Sequence, residues 1–262
     1  MHFTKMQGLG NDYLYLNCLE GAPDDLPGLA IRLSDRHFGV GGDGIICIGP
    51  GKTGDFSMEM YNADGSRGAM CGNGIRCVGK YVYDKGLTRK TCLTIDTDAG
   101  PRLVELEVRG GRAVRVSVDM GVPVVKPGMD VAAGEETFRL YPVEVGNPHG
   151  VVFCQEPAVV DLGQVGPVLE RLFPGGINVE FAAPRGQDRL EVRVWERGSG
   201  ITLACGTGAC AALAAAVKTG RCARRCAVRL PGGVLDLDWD RDSGHMRMTG
   251  PAVTVFEGEV EI

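Results

Sequence analysis

Two cysteines stand in nearly the same local sequence, one in each half of the chain. Cys71 opens the segment CGNGIRC and Cys205 opens CGTGAC, so each sulfur precedes a Gly-x-Gly step and a helix-like run. The unpaired N–H groups and the dipole at a helix N-terminus lower a thiol pKa from about 8.5 towards neutrality. Each cysteine is therefore predicted to be an easily ionised thiol.

Paired thiols of this kind suit a reaction that inverts a stereocentre. Inversion needs a base on one face of the carbon and an acid on the other, with the roles exchanged in the reverse direction. The α-hydrogen of an amino acid is weakly acidic, so the charge that develops needs preorganised donors. Helix starts supply them, here as the backbone N–H groups of Gly72, Asn73, Gly206 and Thr207. The alternative is that each Cys-Gly pair only caps a helix, and two matching sites argue against it.

The two cysteine segments belong to a longer internal repeat. The cysteines are 134 positions apart, and at the same offset the pattern of residues 57–66 recurs at residues 191–200. At an offset of 136, GND at residues 10–12 matches GNPH at residues 146–149. Chance similarity in a glycine-rich chain is the alternative, but several matches in the same order indicate duplicated domains.

The repeat predicts two similar domains, residues 1–120 and 121–262, divided near the proline- and glycine-rich segment GVPVVKPGMD. Each half has many short alternating strands and one clear helix. The second main helix contains ACAALAAAV, which is apolar on every face and is therefore predicted to be buried all round. The predicted fold class is α/β of the α+β type, with each strand-rich domain wrapped around a central helix. The predicted helices are Gly72–Asp84 and Gly206–Thr219, with shorter ones at Leu29–Asp35 and Val165–Leu172.

The bulk composition argues against several classes of function. The formal net charge is −5 without a run of like charges, which argues against a nucleic-acid partner. No apolar stretch reaches the length of a membrane span, and the first residues lack the apolar region of a signal peptide. We therefore expect a cytoplasmic protein without a membrane partner, in which the ten cysteines are mostly free thiols.

Metal and cofactor sites are not predicted. The closest cysteine pairs lack the two-residue spacing typical of zinc ligands. Residues 39–44, GVGGDG, match the dinucleotide pattern G-x-G-x-x-G, but a strand-like run follows instead of a helix, which favours a turn. Nothing in the sequence indicates a pyridoxal phosphate site. Four cysteines in apolar strand-like runs are expected in the core: Cys18, Cys47, Cys92 and Cys154.

At these residues the chain resembles the diaminopimelate epimerase family. The most specific segments are MCGNGIRC at residues 70–77 and WERGSGITLACGTGACA at residues 195–211. The resemblance implies two pseudo-symmetric domains, each a mostly antiparallel, barrel-like sheet around a central helix. It also implies a homodimer that interconverts LL- and meso-2,6-diaminopimelate without a cofactor, for lysine and peptidoglycan precursor synthesis.

The same resemblance implies the site residues. Cys71 and Cys205 would be the catalytic bases, and His149 and Glu196 would position or tune the thiols. Substrate contacts would come from both halves: Asn11, Asn62, Gly72, Asn73, Asn147, Asn178, Glu196, Arg197, Gly206 and Thr207. An arginine, an acidic group and side-chain amides suit the second amino-acid end of diaminopimelate. Any single asparagine is, however, more often a turn residue than a ligand.

Glu196 and Arg197 are neighbours, and neighbours in a strand point to opposite faces. For both to reach a ligand, the chain must turn at or just after Trp195. The sequence departs from the commonest family pattern at the edge of the expected site, at Gly44, Gly68, Ala69 and Ile201.

Two other functions remain open at this point. A proline racemase or hydroxyproline epimerase of the same superfamily would share the paired cysteines. Such relatives typically carry His after the first Cys-Gly, where this chain has Asn73. A non-catalytic thiol protein that responds to metal or redox state would predict close zinc spacings and no exchange at an amino-acid α-carbon.

Overall fold

The computed structural model describes residues 1–261, and the chain divides into two compact units. The first contains Met1–Val118 together with the chain from Gly250 onward, and the second contains Asp119–Thr249. The sequence-based division at residue 120 instead put the C-terminal residues in the second half. They belong to the first unit because the last strand pairs antiparallel with the first, where His2 lies opposite Glu259.

The helices and strands of the two units occur in the same order along the chain. Up to residue 119 the elements are β1 (His2–Gly8), β2 (Asn11–Asn17), α1 (Leu26–Ser34), β3 (Gly44–Pro50), β4 (Phe56–Asn62), β5 (Arg67–Gly68), α2 (Gly72–Asp84), β6 (Cys92–Asp96), β7 (Arg102–Arg109) and β8 (Arg112–Asp119). The elements that follow are β9 (Val124–Val125), β10 (Met129–Ala133), β11 (Glu136–Glu144), β12 (Pro148–Phe153), a 3-10 turn (Pro157–Val159), α3 (Leu162–Arg171), β13 (Asn178–Pro184), β14 (Arg189–Glu196), β15 (Gly200–Thr202), α4 (Gly206–Lys218), β16 (Arg225–Leu230), β17 (Gly233–Trp239), β18 (Met246–Gly250) and β19 (Val253–Glu259).

The strand pairing of the first unit recurs in the second with each strand number raised by ten. In the first unit β1 is antiparallel to β2, β2 is parallel to β3, and β3 is antiparallel to β4. In the second unit β11 is antiparallel to β12, β12 is parallel to β13, and β13 is antiparallel to β14. The pairs β4–β6 and β14–β16 are both parallel. The predicted α+β class, with largely antiparallel strands, is confirmed.

α2 and α4 are the buried central helices of their units. From Ala209 to Ala216 every residue of α4 is fully buried, among strands that include β11, β12, β13 and β17. This confirms the burial that the apolar sequence of α4 predicted. α2 packs against β1, β2 and β7. Gly79 of α2 permits the close approach of β7, since a Cβ there would lie 2.8 Å from Val104 Cγ1.

A second helix in each unit begins earlier than the sequence pattern predicted. Asp25 caps α1 by accepting a hydrogen bond from the Gly28 amide, and Asp161 caps α3 by accepting one from the Gln164 amide. Aspartate is a favoured N-cap because its carboxylate satisfies a backbone donor that has no partner within the helix. Both helices therefore start three residues before the predicted positions. No helix within residues 1–261 is both long and apolar enough to cross a lipid bilayer.

The strand β3 is buried on both faces by two different helices. Ile45 and Cys47 belong to the cluster that packs against α1, whereas Ile46 approaches Gly74 of α2. This explains the continuous apolar run IICIG, because a strand covered on both faces needs no polar alternation. The prediction of four core cysteines was correct for Cys47 and Cys18 but wrong for Cys92, which begins β6 on its exposed side.

Replacement of Gly79 by Ala tests the close packing around α2. The added methyl would meet the Val104 side chain within the core, and overpacking of this kind costs about 1–3 kcal/mol of unfolding free energy. As a matched control, Gly163→Ala in α3 places its methyl at an ordinary 3.4 Å from Asp161 and should stabilise the fold by up to about 1 kcal/mol. Denaturant unfolding of both variants provides the comparison, and a stabilised Gly79→Ala protein would contradict this packing.

Candidate active site

Cys71 is the N-cap of α2. Its backbone is extended (φ −126°, ψ 119°), and its sulfur accepts a hydrogen bond from the Gly74 amide at 3.3 Å. This is the usual capping arrangement, in which a side chain satisfies an amide of the first helical turn. The thiol is half-buried, and its S–H donates to Asn11 Oδ1 at 3.2 Å.

Cys205 caps α4 in the same way. Its backbone has φ −119° and ψ 115°, and its sulfur accepts from the Gly208 amide at 3.4 Å. The Thr207 hydroxyl lies 3.4 Å from the same sulfur. Cys205 is buried, whereas Cys71 is half-buried. The repeat therefore extends to the capping geometry of both cysteines.

A glycine three residues after each cysteine lets a strand pass directly under the helix start. A Cβ at Gly74 would lie 2.7 Å from Ile46 Cδ1 on β3, and a Cβ at Gly208 would lie 2.7 Å from Glu180 Oε1 on β13. A Cβ at either position would displace the end of the Ile46 or the Glu180 side chain, so glycine leaves room for that side chain under the helix start. The second glycine of each Gly-x-Gly thus allows a strand side chain to pack under the helix start.

The surroundings of Cys205 act against its ionisation. Burial raises the pKa of the Cys205 thiol well above its ordinary value, and the carboxylates of Glu196 and Glu180 raise it further. The Thr207 hydroxyl and the Gly208 amide lower this pKa, but they do not outweigh burial and the two acids. The sequence-based expectation of a lowered pKa was therefore wrong for Cys205, because it considered the helix end without the acids beside it.

Glu196 ends β14 immediately before a tight turn. Residues 197–199 form this turn, and Gly200 on β15 then lies opposite Glu196. The predicted reversal after Trp195 is thus confirmed. Thr202 Oγ1 donates to Glu196 Oε1 at 2.5 Å. Burial raises the pKa of Glu196, although Thr202 and Cys205 lower it through their hydrogen bonds.

A chain of three polar side chains, two of them buried, lies beside Cys205. His149 Nδ1 lies 2.7 Å from Glu180 Oε1, and His149 Nε2 lies 2.9 Å from Asn147 Oδ1. The side chains of His149 and Glu180 have no exposed surface. Glu180 Oε2 has no hydrogen-bond partner within the described residues. A buried acid with an unsatisfied oxygen is costly, so its presence next to a candidate catalytic thiol calls for a functional reason.

In the first unit, Asp43 fixes the orientation of Asn11. Asn11 Nδ2 donates to Asp43 Oδ2 at 2.7 Å, which turns the amide oxygen towards the sulfur of Cys71. Asp43 also pairs with Arg36 at 3.1 Å, and Arg36 pairs with Asp12 at 2.7 Å. The amide beside Cys71 is therefore held by a charged network rather than left to rotate.

The other predicted ligands lie at strand ends or helix starts within one unit or the other. In the first unit Asn62 ends β4 and donates to Ser66 Oγ at 3.0 Å, whereas Asn73 is buried and its Oδ1 accepts from Arg76 at 2.8 Å. Gly72 begins α2 and Gly206 begins α4.

In the second unit, Asn178 joins the strand end to the turn. Its Oδ1 accepts from the Arg197 amide at 2.9 Å, while the Arg197 guanidinium donates to the carbonyls of Gly175 and Gly176 at 3.0 and 3.2 Å. The predicted contacts Asn147, His149, Asn178, Glu196 and Arg197 therefore belong to one connected region of the second unit.

The sequence analysis missed Glu180, Asp43 and Arg76. Arg76 lies one turn into α2, is fully buried, and donates to the Gly72 carbonyl at 3.2 Å and to Asn73. Glu180 could have been found from the repeat, because its equivalent at the offset of 134 is Ile46 and a charge in place of isoleucine is unusual. Gly44 departs from the family pattern for a steric reason, since a Cβ there would lie 2.0 Å from the Tyr61 carbonyl oxygen.

The glycine-rich loop lacks the surroundings of a dinucleotide site. Residues 39–43 follow α1 and lead into the strand β3 rather than into a helix. The interpretation of this segment as a turn is therefore supported over a phosphate-binding fingerprint. Within residues 1–261 no group of three or more His, Cys, Asp or Glu side chains is placed to hold a metal ion.

The sequence matches the family model described as diaminopimelate epimerase over residues 3–126 and 141–255. The chain belongs to the diaminopimelate epimerase family. A diaminopimelate epimerase of Acetivibrio thermocellus is 48% identical over 100% of this chain and 99% of its own. One of Bacteroides thetaiotaomicron is also 48% identical, over 99% of this chain and 97% of its own. Both cysteine-bearing segments, at Cys71 and at Cys205, lie within the matched residues.

Solved structures with low sequence identity share the fold. A phenazine biosynthesis protein of the PhzF family from Enterococcus faecalis has a TM-score of 0.76 at 12% identity, covering 100% of this chain and 99% of its own. A hydroxyproline epimerase from Agrobacterium vitis, with bound trans-4-hydroxy-L-proline, has a TM-score of 0.69 at 16% identity, covering 98% and 91%. At such identities only the fold follows, so the likeness does not separate family members from these relatives.

The raised pKa of Glu196 predicts a pH-dependent effect on stability. A carboxyl whose pKa is higher in the folded than in the unfolded state contributes stability at low pH and loses it as pH rises through the folded pKa. Glu196→Gln stays neutral and keeps an oxygen for Thr202, so it should be more stable than wild type by about 1 kcal/mol or more at about pH 8. This gain should shrink towards about pH 5.

Thermal and denaturant unfolding at several pH values measures this difference. Glu191→Gln is the matched control, because Glu191 is on the same strand but forms a more exposed ion pair with Arg185 at 2.8 Å. Its effect should stay within about 0.5 kcal/mol. A Glu196→Gln difference that does not change with pH would show that burial of this charge is not what matters.

Proposed function

We propose that this chain interconverts LL- and meso-2,6-diaminopimelate by proton transfer at the α-carbon, with Cys71 and Cys205 as the two bases and without a cofactor. The observation that carries the proposal is the pair of cysteines that cap α2 and α4 with the same geometry, in a chain of the diaminopimelate epimerase family. Such a reaction would serve lysine and peptidoglycan precursor synthesis.

The proposed step moves one proton to each side of the carbon. One cysteine, as the thiolate, removes the α-hydrogen, so that a C–H bond breaks and an S–H bond forms. The other cysteine, as the thiol, delivers its proton to the opposite face, so that its S–H bond breaks and a new C–H bond forms. The electron pair released from the first C–H bond is delocalised into the carboxylate, and it returns to the carbon in the new C–H bond.

Helix starts would stabilise the carboxylate during this transfer. The backbone N–H groups in the first turns of α2 and α4 belong to Gly72, Asn73, Gly206 and Thr207. Donors fixed before the reaction stabilise developing charge without the cost of reorganising solvent. The hydrogen bonds from the Gly74 and Gly208 amides to the capping sulfurs help to fix these first turns.

Glu196 would bind the substrate ammonium and thereby help Cys205 to ionise. The Glu196 carboxylate is one of the charges that raise the pKa of Cys205. An ammonium paired with this carboxylate would offset its negative field, so the thiol would become easier to ionise once substrate is bound. His149 would position Glu180, with which it pairs at 2.7 Å.

The distal amino-acid end would be recognised by amides and an arginine. Asn62, Asn147, Asn178 and Arg197 are the proposed contacts, and Asn11 would contact the reacting end beside Cys71. Asn178 supports this role because its oxygen holds the Arg197 amide and so fixes the turn that carries the guanidinium. A proline substrate has no such end, which is what separates this proposal from a proline racemase or hydroxyproline epimerase.

The setting of the reaction is also a proposal. The composition favours a cytoplasmic enzyme with free thiols, and the family resemblance favours a homodimer. We propose no nucleic-acid, membrane or metal partner.

Isotope exchange tests the function directly. Purified protein with LL-diaminopimelate in deuterated water should lose the α-proton signal and form the meso isomer, whereas L-proline and L-lysine should be unaffected. Cys71→Ala and Cys205→Ala should each abolish turnover, because each removes one of the two proton carriers. Cys222→Ala is the matched control, a buried cysteine outside the site, and should keep its activity. Efficient racemisation of proline, or near wild-type turnover by Cys71→Ala, would refute the proposal.

Arg197→Ala tests recognition of the distal end. Loss of a charge-assisted contact to a substrate carboxylate should lower kcat/KM for diaminopimelate by about tenfold to a hundredfold. Iodoacetamide should still label both catalytic cysteines. Arg189→Ala, at the exposed start of β14, is the matched control and should leave kcat/KM unchanged. An Arg197→Ala enzyme with wild-type kcat/KM would remove this residue from the substrate site.

A further inference from the structure

We propose that Glu180 and Arg76 make the two half-sites electrostatically unequal, so that Cys205 keeps its proton in the free enzyme while Cys71 is the thiol that ionises first. This inference rests on the proposed function, in which the two thiols share one proton. It assigns a positioning role to Glu180 and Arg76, neither of which belongs to the residues implied by the family resemblance.

The strongest observation is a single difference at equivalent positions. Under the start of α2 the side chain nearest to the Cβ position of Gly74 is Ile46, with Cδ1 at 2.7 Å. Under the start of α4 the corresponding atom is Glu180 Oε1, also at 2.7 Å from the Cβ position of Gly208. Glu180 follows Ile46 by the same 134 positions that separate the cysteines. The backbone is repeated, but a hydrocarbon in one unit is replaced by a buried acid in the other.

Glu180 is close enough to Cys205 for its charge to matter. The same hypothetical Cβ position on Gly208 lies 3.3 Å from Cys205 Sγ, so the carboxylate oxygen and the sulfur are both close to one point beside Gly208. Glu180 is fully buried, and its Oε2 has no hydrogen-bond partner within the described residues. The positive end of α4 therefore stabilises the Glu180 carboxylate. Without Glu180, the same helix end would favour a thiolate at Cys205.

A second difference acts in the same direction. Arg76 places a fully buried cation against the first turn of α2, where it donates to the Gly72 carbonyl and to Asn73 Oδ1. The equivalent position in α4 is Cys210, which carries no charge as a thiol. A buried cation in the first turns of α2 and a buried anion beside Cys205 both favour unequal acidities of the two thiols.

Other groups around the two sulfurs do not cancel this difference. Around Cys205, Glu196 adds a second negative charge and His149 pairs with Glu180. Around Cys71, Tyr15 is a neutral phenol whose raised pKa follows from its burial.

The acidic side chains near Cys71 are balanced by bases. Asp43 and Asp12 are matched by Arg36 and by Lys5, which lies 2.9 Å from Asp12. The Asn11 oxygen opposes a thiolate at Cys71, but an amide dipole opposes it less than a full carboxylate does.

Site-resolved labelling tests the proposal without any use of substrate. Wild-type protein is treated briefly with iodoacetamide from about pH 6 to about pH 10, and the alkylation rates at Cys71 and Cys205 are read from their peptides by mass spectrometry. For each cysteine, the alkylation rate plotted against pH has a midpoint. The midpoint for Cys205 should lie at least about one pH unit above that for Cys71. Equal midpoints, or a lower one for Cys205, would overturn the proposal even if no variant can be purified.

Variants then assign the difference to Glu180. Glu180→Gln keeps an oxygen and an amide for His149 but removes the charge, so the Cys205 midpoint should fall by about one pH unit while that of Cys71 stays in place. Glu180→Asp keeps the charge and should remain near wild type. Ile46→Val, the matched change under Cys71, should move neither midpoint. An unchanged Cys205 midpoint in Glu180→Gln, or an equal shift at both cysteines, would overturn the role of Glu180.

These results separate the inference from the proposed function. Unequal midpoints without α-proton exchange on diaminopimelate would leave the asymmetry standing and refute the epimerase reaction. Exchange with equal midpoints would support the reaction and refute the asymmetry.

Discussion

The hydrogen bond from a helical amide to a capping sulfur is the interaction on which both half-sites depend. It fixes Cys71 against the Gly74 amide and Cys205 against the Gly208 amide, so each sulfur sits at the positive end of a buried helix. The residue that carries this amide is a glycine, and the end of a side chain from the strand beneath lies close to it. The capping cysteine, the glycine and the underlying strand therefore pack together in each half-site. The strand contributes the side chain nearest to the glycine, which is Ile46 in one half-site and Glu180 in the other.

The chemistry of the second half-site follows from this packing and from burial. A helix end favours a thiolate, but burial, together with the carboxylates of Glu196 and Glu180, raises the pKa of Cys205 well above its ordinary value. A thiol that is hard to ionise gives a stronger base once it is ionised, at the cost of a smaller ionised fraction. In the proposed reaction, a substrate ammonium paired with Glu196 would restore the balance. The buried acids would then make the reactivity of Cys205 depend on the substrate being present.

Much of this organisation could be predicted from the sequence, because short local patterns of residues determine it. The Cys-Gly-x-Gly repeats predicted both capped helices, and the apolar run in α4 predicted its burial. Non-local features could not be found in this way. The pairing of β19 with β1 places the end of the chain in the first unit, and no local pattern encodes that partner. Glu180 was missed because a glutamate in a strand usually faces solvent, whereas β13 is buried on both faces between α3 and α4.

Under the proposed reaction, the different charges of the two half-sites would give the shared proton a preferred position, although the backbone is repeated. Two identical thiols that share one proton would hold it equally, so half of the molecules would be in the wrong protonation state for either isomer. A tenfold bias between the thiols would leave about nine molecules in ten ready for one isomer and about one in ten ready for the other. Substrate contacts such as Glu196 can then shift this ratio on binding, whereas a symmetric pair offers no resting preference to shift. On this proposal, the repeat supplies two capped thiols, and differences such as Ile46 against Glu180 would give each thiol its own acidity.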